Sequence, residues 1–388
     1  MKSYSDFYRD ALLNDVIPFW EKYSPDREFG GYFTCLDQTG KVYDTDKFMW
    51  LQGRQAWTFA MLYGQVEQRL EWLELSKLGI DFLKKHGRES NGDFYFSLTR
   101  EGAPLVQPYN IFSDCFAAMA FAQYGKVSQE EEFLDLGKRT FENILSRQKN
   151  PKGHYSKAYP GTRPLKNFSL PMILSNLCLE LESILPENLV EMTLETCIHE
   201  VMEVFLDDET GLIFENVSEK GRPVDTFEGR QINPGHGIEA MWFMMDIAHR
   251  RSDTALMQKS VDVLLRLLDF GWDREHQGIF YFLDAQGKPP LNLEWDQKLW
   301  WVHLETLVAL AKAKKYTGDS NAKAWFEKVH DYSWNHFADP DHGEWYGYLN
   351  RQGEVLIPAK GGKWKGCFHI PRAFFQIWKA SSNQEIRN

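Results

Sequence analysis

Two periodicities alternate along the chain. In one, apolar and aromatic residues fall at every second position over a few residues bounded by glycines. In the other they recur every three to four positions over fifteen or so. The first kind occurs six times, as "GYFTCLDQTGKVY", "GDFYFSLTREGAPL", "GHYSKAYPGTRPL", "GLIFENVSEKGRPV", "GIFYFLDAQGKPPL" and "GEWYGYLNRQGEVL". Their leading glycines, Gly31, Gly92, Gly153, Gly211, Gly278 and Gly343, are spaced by 61, 61, 58, 67 and 65 residues. Each copy predicts a short two-stranded hairpin closed by a glycine-containing turn.

Each hairpin is followed by a segment apolar on most faces, such as "FMWLQGRQAWTFAMLY" or "LWWVHLETLVALAKAKKY", and then by a more amphipathic one, such as "EWLELSKLGIDFLKKH". A helix apolar all round is buried, and one with a polar face lies outside. The repeat is therefore outer helix, hairpin, inner helix. One unit cannot bury its inner helix, but six closed in a ring can. The expected fold is all-α: an (α/α)6 barrel, with the short β-hairpins gathered at one end. No Pro/Gly/Ser-rich linker divides the chain, so residues 1–388 are expected to form a single domain.

Polar residues keep step with this repeat. Arg54 stands 23 residues after Gly31, Asp114 22 after Gly92 and Asn176 23 after Gly153. His236 and His303 each stand 25 after their glycines, Glu305 two further on, and His369 26 after Gly343. Groups at one level of six inner helices point to a site at the barrel mouth. Other readings stay open: His303, near Trp301, also suits a hydrogen-bonded core position, and Asp114 and Asn176 could satisfy backbone groups. Arg54 needs a carboxylate partner if buried, and Glu239 or Glu305 could supply it.

His236 opens "NPGHGIEAMWFMM", where Asn233 is a good N-cap and Pro234 suits the first helical position. A helix N-terminus disfavours imidazolium, so this ring is expected to be neutral, with Glu239 one turn on as its companion. Pro371 is expected to open the last inner helix, leaving His369 in the loop before it. Two neutral histidines facing one cavity suit general acid–base chemistry near pH 7.

Composition narrows the rest. The net charge of −11 argues against nucleic-acid or anionic-membrane partners, and aromatic residues make up 15% of the chain. Many aromatics must pack the core, yet such a surplus also suits a sugar-stacking cleft. No apolar run reaches the length of a membrane span, and the first residues carry no apolar signal core. Five scattered cysteines read as reduced, buried thiols of a cytoplasmic protein. There is no zinc-type spacing and no phosphate loop, so no metal is expected. "KGGKWKG" reads as a mobile rim loop.

Together, "LQGRQAW", "NPGHGIEAMWF", "LWWVHLETL" and "CFHIPRAFFQIW" resemble the N-acylglucosamine 2-epimerase family over essentially the whole chain. The resemblance implies an (α/α)6 barrel and an enzyme that inverts C2 of a free sugar. On that likeness His236 and His369 exchange the C2 proton after ring opening, Arg54 stabilises the enolate oxygen, and Glu239 and Glu305 orient the histidines. Asn176, Asp114, Trp301, His303, Met172 and Trp364 are the expected sugar contacts. The third inner helix, "FSLPMILSNL", lacks the histidine of cellobiose- and mannose-acting relatives, which favours N-acetylglucosamine and N-acetylmannosamine as substrates. The resemblance also implies a homodimer and no cofactor for the chemistry, with ATP as an activator; Lys157 and Arg163 are the expected nucleotide contacts. The alternatives are a cellobiose or mannose epimerase, an inverting glycoside hydrolase working through two carboxylates, and a non-enzymatic partner-binding protein.

Overall fold

The computed structural model describes residues 3–155, 159 and 161–382. The outer helices are α1 (Tyr4–Ala11), continued through a π turn at Leu12–Val16 into α2 (Ile17–Tyr23), and then α4 (Leu70–His86), α6 (Glu131–Ser146), α8 (Glu187–His199), α10 (Thr254–Gly271) and α12 (Ser320–His336). The inner helices are α3 (Met49–Gln65), α5 (Phe112–Ser128), α7 (Ser169–Leu181), α9 (Pro234–Arg251), α11 (Trp300–Thr317) and α13 (His369–Ser381). Sequential inner helices pack side by side; α4, α6, α8, α10 and α12 each back the inner helix before them, and α1 backs α13. Their approach can be close: at Gly53 of α3, a Cβ would lie 2.6 Å from the Phe116 carbonyl oxygen on α5. The ring closes where the Thr58 hydroxyl donates to the Cys367 carbonyl at 3.0 Å and Trp57 meets Phe368 edge-on. One apolar core runs from Tyr8 to Ile377. This is the (α/α)6 barrel that the repeat implied.

The hairpins meet expectation only in part. In the second copy Ser97–Leu98 pairs antiparallel with Pro104–Val106, as expected, while in the first and sixth the arms meet at isolated bridges, Leu36 with Val42 and Leu349 with Val355. Further ladders join neighbouring repeats. Lys47–Phe48 pairs antiparallel with Ser97–Leu98, Leu165–Asn167 with Asn216–Ser218, Gln231–Ile232 with Leu283–Asp284, and Lys298–Leu299 with Tyr348–Leu349. A two-residue strand is too short to hold a hairpin alone, and borrowing the next repeat's edge satisfies its backbone groups. In the third copy the described residues Gly153–Tyr155 form a 3-10 turn instead.

Buried ion pairs lock three of these junctions. Asp26 receives Lys47 at 2.9 Å and Arg100, from the second hairpin, at 2.9 Å. Asp273 receives Lys298 at 3.1 Å and Arg351 at 2.9 Å in the same way. Asp339 receives Lys360 at 2.8 Å and the Gln38 amide at 3.0 Å, joining the last repeat to the first. "KGGKWKG" is therefore pinned at both ends: Lys360 and Lys365 are buried, the latter 2.6 Å from Glu344, and only Gly362, Lys363 and Trp364 between them reach solvent. Each lysine has a buried carboxylate to neutralise it, and that is what fixes the loop.

Candidate active site

The polar groups that keep step with the repeat fall into two sets. One set faces the hairpins. Gln52 accepts the Tyr32 N–H at 2.7 Å, Asp114 the Phe94 N–H at 3.3 Å, and Nε2 of His303 the Ile279 N–H at 3.0 Å. Gly31, at φ +69°, makes the turn that aims the Tyr32 amide at Gln52. These residues latch each hairpin to its inner helix by satisfying an orphan donor. The expectation that Asp114 and His303 contact sugar is thereby corrected. Asp114 is buried against Arg147 at 2.5 Å, and burial drives its carboxyl up to about 7 against the pull of Arg147 and the amide. His303 has both nitrogens occupied, Nδ1 lying 2.8 Å from the Leu299 carbonyl, and burial lowers it to about 3.

The other set converges inside the barrel mouth. Asn233 caps α9 by accepting the His236 N–H at 3.1 Å, with Pro234 as the first helical residue, as its sequence predicts. The Nδ1 atom of His236 lies 2.9 Å from Glu215, a residue of the fourth hairpin, and its side chain is 26% exposed. His369 is the first residue of α13 rather than a loop residue, and its Nδ1 lies 2.7 Å from Glu305. Trp301 stands between the two imidazoles, with ring centroids 5.2 Å from His236 and 5.9 Å from His369. Both rings thus spend Nδ1 on a carboxylate, and among the described residues Nε2 of each has no protein partner.

Their electrostatics differ. Burial lowers the proton affinity of His236, but Glu215, and more weakly Glu239, outweigh it and leave the pKa raised. The companion expected in Glu239 is instead Glu215, whose nearer carboxylate acts against the helix end. His369 is held well below its ordinary value by burial, then by Arg54 and Arg372. Glu305 serves several donors: His369 and Arg372 share one oxygen at 2.7 Å each, and the Trp242 indole donates to the other at 2.9 Å. Arg372 also donates to Glu239 at 2.5 Å. The residues whose carboxylates hold this guanidinium are therefore not free to serve as a hydrolase's acid and base. Glu239, Glu305 and His369 gather their ligand atoms within 4.8 Å, a spacing that could suit a cation, and Arg372 is the cation bonded to both carboxylates.

Arg54 overturns a further expectation. Among the described residues it has no carboxylate within ion-pair distance. It lies instead against the rings of Phe116, Trp50 and Phe368, at 4.0, 4.4 and 4.8 Å. Its Nε atom is buried without a hydrogen-bond partner. Burial, then Arg372, brings it down to about 9, and cation–π contacts offset part of the desolvation. A guanidinium held by aromatic faces keeps its donors available for an oxyanion.

Of the remaining expected contacts, Met172 and Asn176 are buried on α7, and Trp364 is 48% exposed, packed on Trp50 at 5.5 Å and Phe96 at 6.0 Å. Arg163 is exposed, 3.8 Å from Glu228, while Lys157 lies outside the described residues. Glu215 and Arg372 were missed in the sequence. Arg372 sits one helical turn after His369, a spacing that could have revealed it. Glu215 carries no such signal, because it lies 21 residues before His236, beyond any helical or strand period.

The fold and site together define an (α/α)6-barrel enzyme with paired, oppositely tuned histidines at its mouth. The family model described as "N-acylglucosamine 2-epimerase (GlcNAc 2-epimerase)" matches residues 31–373. The chain is 39% identical over 370 residues to the mouse N-acylglucosamine 2-epimerase, covering 93% of this chain and 88% of that one. It is 36% identical to the human N-acylglucosamine 2-epimerase, covering 93% and 86%. It superposes on a cellobiose 2-epimerase from Bacillus thermoamylovorans B4167 with a TM-score of 0.84 at 19% identity, over 97% of this chain and 98% of that one. The chain belongs to the N-acylglucosamine 2-epimerase family and is a carbohydrate epimerase.

Proposed function

We propose that this enzyme interconverts N-acetylglucosamine and N-acetylmannosamine by exchanging the proton at C2 of the ring-opened sugar. The observation that carries the reading is the pair of imidazoles flanking Trp301, each tied through Nδ1 to a carboxylate and open at Nε2. Two titratable groups whose surroundings push their pKa values apart define an acid and a base. His369, kept neutral, takes the C2 proton of N-acetylglucosamine, and the electron pair moves into C1–O as an enolate. Arg54 stabilises that oxygen. His236, the ring that favours its proton, delivers it to the opposite face of C2. The reverse reaction starts from His236 neutral and His369 protonated, and exchange with solvent resets the pair. Met172 and Asn176, in place of a histidine on α7, are proposed to line the sugar together with Trp301 and Trp364.

The reading extends to the chain as one domain over residues 1–388, supported by the continuous core, and to a cytoplasmic setting, supported by five buried cysteines with no disulfide. Among the described residues no helix is long and apolar enough to cross a membrane. A homodimer and activation by ATP without chemical consumption rest on the family resemblance. Arg163 is exposed enough to meet a nucleotide phosphate.

The test is incubation with N-acetylglucosamine in heavy water, with and without ATP. The expected result is deuterium at C2 of both sugars, faster with the nucleotide. Reducing ends released from an oligosaccharide with C2 unlabelled would indicate a hydrolase, and neither outcome would indicate a binding protein.

A further inference from the structure

We propose that Glu215 is a positioning residue of the reaction: from the fourth hairpin its carboxylate grips Nδ1 of His236 and fixes which ring nitrogen faces the sugar. This rests on the two-histidine reading above. The contact is short, at 2.9 Å, and joins residues from different elements 21 positions apart.

A purely structural role for this side chain is a poor fit. The backbone of Glu215 is anchored without it: its N–H donates to the Gln231 carbonyl at 3.0 Å, and its carbonyl accepts the Phe168 N–H at 3.0 Å. The start of α9 is likewise held by Asn233. Among the described residues the Glu215 carboxylate has one hydrogen-bond partner, the His236 ring, although the residue is only 6% exposed. Burying a carboxylate is costly, and a single imidazole satisfies little of it. What the arrangement does secure is an undiluted negative charge beside one histidine. The companion dyad differs in this respect, because Arg372 shares the Glu305 oxygen that holds His369.

The other groups around His236 make the assignment specific. Its own helix contributes Glu239, which Arg372 neutralises, and α13 contributes His369. α11 contributes the uncharged Trp301. The fifth hairpin contributes Tyr281, packed on Trp301 and held protonated by burial, then by Glu294 and Glu215. Glu215 is thus the one unshared carboxylate acting on this ring. It opposes both burial and the positive end of α9.

The experiment is E215Q, which keeps the shape and an acceptor oxygen but removes the charge. The His236 ring is followed by NMR titration, assigned by its loss in H236N. The expected midpoint falls by about one pH unit or more. The alkaline limb of kcat shifts down with it, and kcat above neutral pH drops about tenfold while KM changes less than about twofold. E215D, which keeps the charge, recovers part of the loss. In the wild-type protein, nitrogen NMR of neutral His236 should show the proton on Nδ1. This reading does not depend on any variant folding. An unchanged midpoint in E215Q, or a proton on Nε2, overturns the proposal whether or not the enzyme epimerises N-acetylglucosamine. Absence of C2 exchange in the wild type with an intact dyad would instead overturn the functional reading and reduce Glu215 to an ion-pair partner.

Discussion

His236 and His303 stand the same 25 residues after the leading glycine of their repeats, yet they face different ways. His236 opens into the barrel mouth beside Trp301, while His303 turns outward and bonds the backbone of its own hairpin. Their helices begin at different points. α9 starts at Pro234, making His236 its third residue, and α11 starts at Trp300, making His303 its fourth. One residue is about 100° around a helix. α3, α9 and α11 share one register. Gln52 and His303 are each the fourth residue of their helices and latch a hairpin, whereas Arg54, Glu239 and Glu305 are each the sixth and turn inward. Two residues are about 200°, so a latch and a site group come from the two sides of one helix. On α3 and α11, which carry one of each, register along the helix separates the latch from the site group; α5 and α13 depart from it, with Asp114 latching a hairpin as the third residue and Arg372 facing the site as the fourth.

That contrast can be broken by substitution. The largest expected effect is on turnover: H369A or H236A should lower the rate of C2 exchange by about 10²–10⁴-fold or beyond detection, with an unchanged circular dichroism spectrum. Near-normal exchange in either variant would end the two-histidine proposal. R54M should cut kcat by about 10²-fold, since it removes the donor proposed to stabilise the enolate oxygen. Because Arg54 has no carboxylate partner to strand, its melting temperature should stay close to wild type.

H303A should show the reverse profile. It leaves the Ile279 amide unpaired in the core, which costs about 2–4 kcal/mol by denaturant unfolding. The protein that remains folded should exchange C2 protons at a near-normal rate. The pH dependence sharpens this. The folded-state value of His303 is about 3, below the ordinary 6.5, so its contribution is fully present above pH 6.5 and is lost as pH falls from there toward 3. Wild-type melting temperatures should therefore drop between pH 7 and pH 5 more steeply than those of H303A. The smallest effect is expected for D114N, which keeps an acceptor for the Phe94 amide and loses only the charge facing Arg147. About 1 kcal/mol of stability and no change in KM are expected.

Much of the fold was legible in the sequence because a closed ring of six similar units repeats its hydrophobic pattern. The inner helices were recognisable because "FMWLQGRQAWTFAMLY" and its counterparts leave no polar face. The N-cap of α9 was legible for a local reason, since Asn233 and Pro234 act within one turn. The partners of the histidines were not legible. Glu239 is adjacent to His236 in sequence spacing but bonds Arg372 instead, and Glu215 reaches His236 from the hairpin of the same repeat, where its N–H bonds the Gln231 carbonyl just ahead of α9. Arg54 misled for a related reason: three aromatic rings from α3, α5 and the segment before α13 stand where a carboxylate was expected.

By itself, then, the sequence determined the periodic architecture, the start of α9 and the residue types at the mouth, because each is a property of a dozen consecutive residues. The tertiary structure alone decided which of those residues look inward, which carboxylate each histidine meets, and which imidazole is raised and which lowered in proton affinity. Those outcomes depend on distances between elements, 21 residues apart for Glu215 and His236 and 64 for Glu305 and His369, and Coulomb and hydrogen-bond energies are set by such distances rather than by order along the chain.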